Sequence, residues 1–135
     1  YIKDYGFHGL LFYMLFEGEY LNGQRNGKGK EYYKNGILMF EGEYLNGQRN
    51  GKGKDYYENG ILMFEREYLK GQRNGKGKEY YVNSKIMFEG EYLNSQRWNG
   101  KGYNNEGIIA LEIKNGNGKG KYYNKNGKLM FEGEF

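Results

Sequence analysis

The chain has 135 residues and a formal net charge of +4, and it contains 24 glycines, 16 tyrosines and 8 phenylalanines but no proline or cysteine. Without cysteine there are no disulfides or thiolate metal sites, which favours a cytoplasmic setting. The longest apolar run, Leu10 to Phe16, is far shorter than the roughly 20 residues of a membrane-spanning helix. We therefore expect a soluble, cytoplasmic chain, with contact at a membrane periphery as the alternative.

The inventory of reactive side chains is small. The chain has one histidine, His8, two serines, Ser84 and Ser95, and no threonine. A nucleophile with its base, or a cluster of metal ligands, cannot be assembled from these residues. His8 is better explained as a surface or capping residue. The sequence therefore predicts a non-enzymatic protein without catalytic residues, cofactor or metal.

A period of 24 residues organises the chain, since Glu17, Glu41, Glu65 and Glu89 begin successive Glu-Gly-Glu or Glu-Arg-Glu steps at that spacing. Such a fixed period is typical of repeat architectures. Residues 1–15 fit the phase poorly and are interpreted as a divergent half repeat or cap. The remaining chain divides into units 16–39, 40–63, 64–87, 88–111 and 112–130, with a partial unit at 131–135.

Each unit has the pattern of a β-hairpin. The run from Leu38 to Leu45 alternates with a period of two, Asn46-Gly47 and the residues after it supply turn signals, and a second extended run follows from Lys52. Pairing Leu45 with Lys52 would set Glu43 opposite Lys54 and lay Tyr44 over Gly53. The predicted fold is all-β, an elongated twisted single antiparallel sheet of tandem hairpins that grows by roughly 10 Å per unit. Its twist should give one concave and one convex surface.

Four positions break the repeat. Arg66 and Ser95 replace glycines of the third and fourth units, Ser84 replaces a glycine of the third tail, and Trp98 is an insertion. A long side chain at position 66 is expected to interrupt or specialise the sheet, and Trp98 to widen a loop.

The pattern Phe-x-Gly-Glu-Tyr-x-x-Gly-x-x-x-Gly-x-Gly occurs from Phe16 to Gly29 and again from Phe40 to Gly53. It resembles the MORN (membrane occupation and recognition nexus) repeat, and the tail of each unit is similar to the bacterial antitoxin-like variant. The resemblance extends from Phe16 to Phe135. It implies a hairpin-repeat scaffold whose relatives bind peptides or helices in grooves, self-associate, or are proposed to contact phospholipid head groups.

Each of the first four units carries a phenylalanine and, four residues later, a tyrosine at equivalent positions. Because a single-layer sheet cannot bury both faces, these rings are predicted to form a concave aromatic groove that binds a protein or peptide segment. A second copy of the chain, giving a homodimer, is a further possible partner. The alternative is that the rings pack on one another as the only core. The predicted groove residues are Phe16, Tyr20, Phe40, Tyr44, Phe64, Tyr68, Phe88, Tyr92 and Trp98.

Basic residues recur in and after the turns. As a ladder along one edge they would bind an anionic membrane surface, and this lipid-binding module is the alternative function, although solubilising charges would look the same. Acidic residues alternate with them, which disfavours nucleic acid. An accessory domain of a longer enzyme is a third possibility. The candidate anion-binding or lipid-binding residues are Arg25, Lys28, Arg49, Lys52, Arg73, Lys76, Arg97, Lys101 and Lys119.

Overall fold

The computed structural model describes residues 1–8 and 11–135, so the interpretation of the His8 side chain lies outside the described part. Twelve strands follow one another in a single antiparallel sheet whose spatial order is the chain order. The strands are β1 (Ile2–His8), β2 (Leu11–Leu21), β3 (Gln24–Tyr32), β4 (Leu38–Leu45), β5 (Gln48–Tyr56), β6 (Leu62–Leu69), β7 (Gln72–Tyr80), β8 (Ile86–Leu93), β9 (Gln96–Tyr103), β10 (Ile109–Lys114), β11 (Asn117–Tyr123) and β12 (Leu129–Glu134). The predicted hairpin meander is confirmed. Among the residues that the structure describes, no helical segment has the length and apolar character of a membrane span.

The hairpin turns are shorter than the sequence indicated. Asn46 and Gly47 both have positive φ, 51° and 81°, as in the type I′ turns that suit the twist of a hairpin. The next strand starts at once with Gln48, which pairs with Leu45. Residues 48–51, read as part of the turn, are therefore strand.

The predicted register is wrong for the same reason. Leu45 pairs with Gln48 rather than Lys52, and Lys54 lies opposite Glu41 rather than Glu43. Between Gly42 and Tyr44 the pairing shifts, because β5 contains extra residues there. Such a bulge repositions every later side chain along the strand, which simple counting back from the turn does not reveal.

The sheet has one buried face, here called the core face. Phe16 and Phe40 have no exposed surface, and Tyr44 and Tyr68 are also buried. The ring of Phe40 packs edge-on against that of Tyr68, with centroids 5.6 Å apart at 89°. Neighbouring units are thus joined by aromatic contacts as well as by backbone hydrogen bonds.

Glycine on the facing strands makes room for these rings. A Cβ on Gly53 would lie 2.5 Å from Cε1 of Phe40 and 3.2 Å from Cε2 of Tyr68. The glycines at this position lie side by side on neighbouring strands and form a row across the sheet, since Gly42 pairs with Gly29 and with Gly53. We call this the glycine row, and Arg66 occupies its place in β6.

The irregular residues do not break the sheet. Arg66 pairs with Gly53 and Gly77, and the register shift that follows it is the one also seen after Gly42. Trp98 lies within β9 rather than in a widened loop. Ser84 and Ser95 adopt φ of 70° and 66°, close to the values of the turn glycines. The turns therefore persist, with a backbone strain of roughly 1 kcal/mol or more at each serine.

Candidate functional site

An open groove of about 980 Å³ runs across β2 to β8 on the face opposite the core face. We call this surface the groove face. Its lining is charged side chains and glycine backbone, with Arg66 in place of one glycine and Tyr1 at one end. The lining residues are Tyr1, Glu17, Gly18, Lys28, Gly29, Lys30, Glu41, Gly42, Glu43, Lys52, Gly53, Lys54, Glu65, Arg66, Glu67, Lys76, Gly77, Lys78, Glu89, Gly90 and Glu91.

The sign of the charge alternates from strand to strand along the groove. Each strand from β3 to β8 contributes two like charges, one on either side of the glycine row: Glu41 and Glu43 in β4, then Lys52 and Lys54 in β5. The register sets Lys54 beside Glu41 on one side and Glu65 on the other. The groove is thus an array of alternating positive and negative stripes.

These charged side chains lie close to one another but form few ion pairs among themselves. In the part of the chain that the structure describes, Lys54 and Glu65 form the single ion pair between groove residues, at 3.9 Å, and both side chains are about half exposed (48% and 45%). Exposed pairs of this kind contribute little to stability, about 0–1 kcal/mol. The ammonium groups, and the carboxylate oxygens that accept no tyrosine hydrogen bond, therefore remain available to a ligand.

The floor of the groove is backbone, and side-chain atoms on the core face hold it in place. A Cβ on Gly42 would come within 2.7 Å of Cζ of Phe40 and 2.8 Å of Cα of Gly53. Glycine is thus required for packing on the core face. Because alternation points this position toward the core face, only backbone is presented on the groove face between the two lines of charges. A bound chain can approach the sheet backbone closely between the two lines of charges.

Half-buried tyrosines form one rim of the groove, which we call the tyrosine rim: Tyr32, Tyr56, Tyr80 and Tyr103. Tyr56 donates a hydrogen bond to Glu41 at 3.0 Å, and Tyr103 donates one to Glu89 at 3.2 Å. Burial and the hydrogen bond to Glu41 raise the pKa of Tyr56 to about 12. Sequence reasoning missed this rim, although alternation along Lys-Gly-Lys-Glu-Tyr places the tyrosine on the same face as the lysines.

Exposed leucines mark the opposite rim, beside the hairpin turns. Alternation puts Leu45, which follows buried Tyr44, on the groove face, and the residue is about half exposed. The same position in the other units is also exposed. These residues are Leu21, Leu45, Leu69 and Leu93.

The predicted aromatic groove residues do not line the groove, and the phenylalanines and tyrosines among them lie on the core face. Phe16, Phe40 and Phe88 are fully buried, Tyr44, Tyr68 and Tyr92 nearly so, Tyr20 packs against them, and Phe64 is half-buried. Trp98 sits against Gly116 of the neighbouring turn. The expectation that these side chains line the groove is corrected, because six of them form the core and Tyr20 packs against it. Phe64 and Trp98 are half-buried and do not line the groove either.

The predicted basic edge is divided between the two faces. Arg25, Arg49, Arg73 and Arg97 stack on Phe16, Phe40, Phe64 and Phe88, with Cζ 4.0, 3.7, 4.6 and 4.6 Å from the ring centres. Lys28, Lys52 and Lys76 line the groove, whereas Lys101 and Lys119 lie in strands beyond it. A continuous basic edge is therefore not present among these residues.

Three of the stacked arginines, Arg25, Arg49 and Arg97, also bind carboxylates on the core face. Arg49 contacts both Glu31 and Asp55 at 3.0 Å. Arg97 holds Glu79 at 2.8 Å, and Tyr92 donates a further hydrogen bond to it. Burial opposes ionisation of Glu79, but these donors outweigh it and lower the pKa of the carboxyl. The arginines thus cap the phenylalanines and close the core of a single-layer sheet.

The described residues contain no group of three or more histidine or acidic side chains that could hold a metal ion. The chain matches no curated protein in the comparison. The MORN repeat family matches residues 16–37, 40–61 and 67–85, and the MORN repeat variant matches residues 116–135. Together these ranges cover more than half of the chain, and each falls on hairpins of the sheet. The sheet is a repeat scaffold, and the chain belongs to the MORN repeat family.

Proposed function

We propose that the chain is a non-enzymatic scaffold that holds a protein segment in its charged groove. The observation that carries this proposal is the alternation of Glu-Gly-Glu and Lys-Gly-Lys stripes over a backbone floor. A polypeptide can present both signs of charge at short intervals. It also offers backbone donors and acceptors to the lysines and glutamates of the groove.

Charge complementarity favours a protein segment over an anionic membrane. A phosphate drawn to Lys52 and Lys54 would lie next to Glu41, Glu43 and Glu65 on the adjoining strands. At the strand spacing of about 4.8 Å, those repulsions are comparable with the attraction. A segment with alternating charges satisfies both kinds of stripe.

The exposure of the groove charges lowers the cost of binding. The Lys54 and Glu65 side chains are about half exposed, so a partner does not have to break a buried network to reach them. Complementary charges at such a surface act chiefly on association rate and specificity. We therefore expect binding that weakens with salt but discriminates strongly against the reversed charge pattern.

The experiment begins with segments selected from a randomised peptide library that carries both acidic and basic residues. Their affinity is measured for the intact chain and for Lys52→Glu/Lys54→Glu, which reverses one stripe. The matched control, Lys85→Glu/Lys128→Glu, changes the net charge equally at two exposed positions just before strands, outside the groove.

We expect the stripe reversal to weaken binding by about tenfold or more, with the control nearly unchanged. Equal effects of both double variants would overturn the groove proposal. Pelleting of the chain with anionic vesicles, lost in Lys52→Glu/Lys54→Glu, would favour the lipid alternative instead. Light scattering over a range of concentrations identifies a second copy of the chain as the occupant.

A further inference from the structure

We infer that the segment seated in the groove adopts the polyproline II conformation and presents an apolar residue, proline above all, at every third position. This inference rests on the proposed function and names the class of its partner. It follows from the spacing of the tyrosine rim together with the chemistry of the floor.

The tyrosine rim has a fixed pitch across the sheet. Tyr32, Tyr56, Tyr80 and Tyr103 come from β3, β5, β7 and β9, so successive rings are two strands apart. With strands about 4.7–4.9 Å apart, the backbone positions that carry successive rings are about 9.4–9.8 Å apart. The lysine and glutamate stripes repeat with the same pitch.

A polyproline II helix has the matching period. It has three residues per turn and rises about 3.1 Å per residue, so residues i and i+3 face the same side about 9.3 Å apart. Over the three intervals between the four tyrosines, the accumulated mismatch is at most about 1.5 Å. One side of such a segment can therefore meet every tyrosine in turn.

Other backbone conformations match less well. Seven residues of an α-helix rise about 10.5 Å, which leaves a mismatch of about 2–3 Å over the same distance. In a β-strand, residues three apart point to opposite faces, so a residue repeated every third position would meet the rim only alternately. The rim thus distinguishes between conformations that the charges alone would accept.

The chemistry of the groove suits this conformation as well. A polyproline II segment has no internal hydrogen bonds, so its carbonyl groups can accept from Lys30, Lys54 and Lys78. The segment can also lie close to the sheet backbone between the two lines of charges, because side chains at the glycine row point to the core face. Aromatic side chains at the pitch of the helix are the surface on which proline-rich segments dock.

The test uses synthetic peptides of defined period. The first contains four Pro-Glu-Lys triplets followed by proline, and its control has the same length with Pro-Glu-Lys-Gln quartets. A third peptide is an alanine-based α-helix of heptad period that carries glutamate and lysine and is long enough to span the four tyrosines. Binding to the intact chain is followed by fluorescence anisotropy.

We expect the triplet peptide to bind at least about tenfold more tightly than either control, and affinity to rise with each triplet added up to four. Preference for the helix or the quartet peptide, lost in Lys52→Glu/Lys54→Glu, would overturn the inference while leaving the proposed function intact. Failure of all three peptides, together with failure of library-selected segments to depend on the stripe, would overturn both.

A variant on the rim provides a second measurement. Tyr80→Leu removes one ring of the rim but keeps apolar bulk, and its matched control is Tyr122→Leu, which changes an exposed tyrosine outside the groove. We expect about tenfold weaker binding of the triplet peptide for Tyr80→Leu and no change for the control. Unchanged binding in a Tyr80→Leu chain with normal thermal unfolding would contradict the inference.

Discussion

Arg66 stacks its guanidinium on the ring of Phe64, with Cζ 3.4 Å from the ring centre, at a site where other strands of the glycine row have no side chain. The arginine is 3% exposed, and none of its three side-chain nitrogens has a hydrogen-bond partner among the described residues. Burial, and repulsion from Arg73, lower its pKa to about 10. The Cζ of Arg66 also lies 5.2 Å from the ring centre of Tyr92. In the preceding unit the equivalent tyrosine, Tyr68, packs against the ring of Phe40 instead.

The core is divided at this point. One cluster contains Phe16, Phe40, Tyr44 and Tyr68, and the other contains Phe88, Tyr92, Leu111 and Ile113. Phe64 lies between them and belongs to neither. We infer that the third unit is the weakest part of the scaffold.

Arg66→Gly should therefore stabilise the chain. The change removes a buried cation without a partner and restores the glycine that lets the ring of Phe64 enter the core. We expect the free energy of unfolding to rise by about 2 kcal/mol or more, despite the flexibility that glycine adds to the unfolded chain. Urea denaturation followed by circular dichroism measures the effect.

Two further variants separate charge from volume at this position. Arg66→Met keeps the length of the side chain and removes the charge, so it should recover part of the gain. The reciprocal change Gly42→Arg should destabilise, because a Cβ there would lie 2.6 Å from the carbonyl oxygen of Lys52. Lower stability of Arg66→Gly than of the unchanged chain would contradict this explanation.

Phe40 and Phe64 occupy the same position in consecutive units and should respond differently to truncation. Phe40 has no exposed surface, whereas Phe64 is half-buried. Phe40→Ala is expected to cost about 3–5 kcal/mol, and Phe64→Ala clearly less. Equal losses in matched denaturation experiments would show that Arg66 does not displace the ring from the core.

Arg49 and Arg73 form a second matched pair. Both stack on a phenylalanine, but Arg49 also binds Glu31 and Asp55 at 3.0 Å. Lysine cannot reproduce the planar fork or the stacking, so Arg49→Lys should cost about 1–3 kcal/mol and Arg73→Lys less than 1 kcal/mol. The same unfolding assay checks the order, and a larger loss for Arg73→Lys would refute it.

Alkaline pH should weaken the fold through its buried tyrosines. Burial and the neighbouring Asp55 raise the pKa of Tyr68 to about 12 from an ordinary value of 10.0. A raised pKa means that the fold favours the neutral phenol, so its contribution is complete below pH 10 and is lost as the pH rises towards 12.

The stability of the chain should accordingly fall over that interval, and less steeply in Tyr68→Phe. Ultraviolet absorbance of tyrosinate, recorded beside circular dichroism, follows ionisation and unfolding together. Titration of all tyrosines at the ordinary value with the fold intact would count against this assignment.

The repeat architecture could be predicted from the sequence because the 24-residue period and the alternation from Leu38 to Leu45 are local signals. The register could not be predicted in the same way, since the bulge opposite Gly42 and Tyr44 depends on how β5 meets β4. The sequence assigns the groove to the wrong face of the sheet, because the alternation of side chains separates the two faces but does not show which of them is buried. Phe40 is covered by Arg49 from the neighbouring strand, a contact that hydrophobicity gives no reason to expect.

The tyrosine rim could have been found from the sequence. Tyr56 follows Lys54 by two positions and therefore lies on its face of the strand, whereas Tyr57 lies on the other face and donates a hydrogen bond to the carbonyl of Tyr80 at 2.6 Å. In the first three units the paired tyrosines of the tail have separate roles, since Tyr33, Tyr57 and Tyr81 each donate a hydrogen bond to a backbone carbonyl of the next unit. One belongs to the groove and one to the packing between units.

Because the chain has no cysteine, a single introduced thiol can report where a segment binds. A spin label at Lys54→Cys lies in the groove, and one at Lys85→Cys lies in an exposed turn outside it. On addition of a bound segment, the groove label should become immobilised and the turn label should stay mobile. Immobilisation at position 85 with unchanged motion at position 54 would contradict the claim that the charged groove is the binding site.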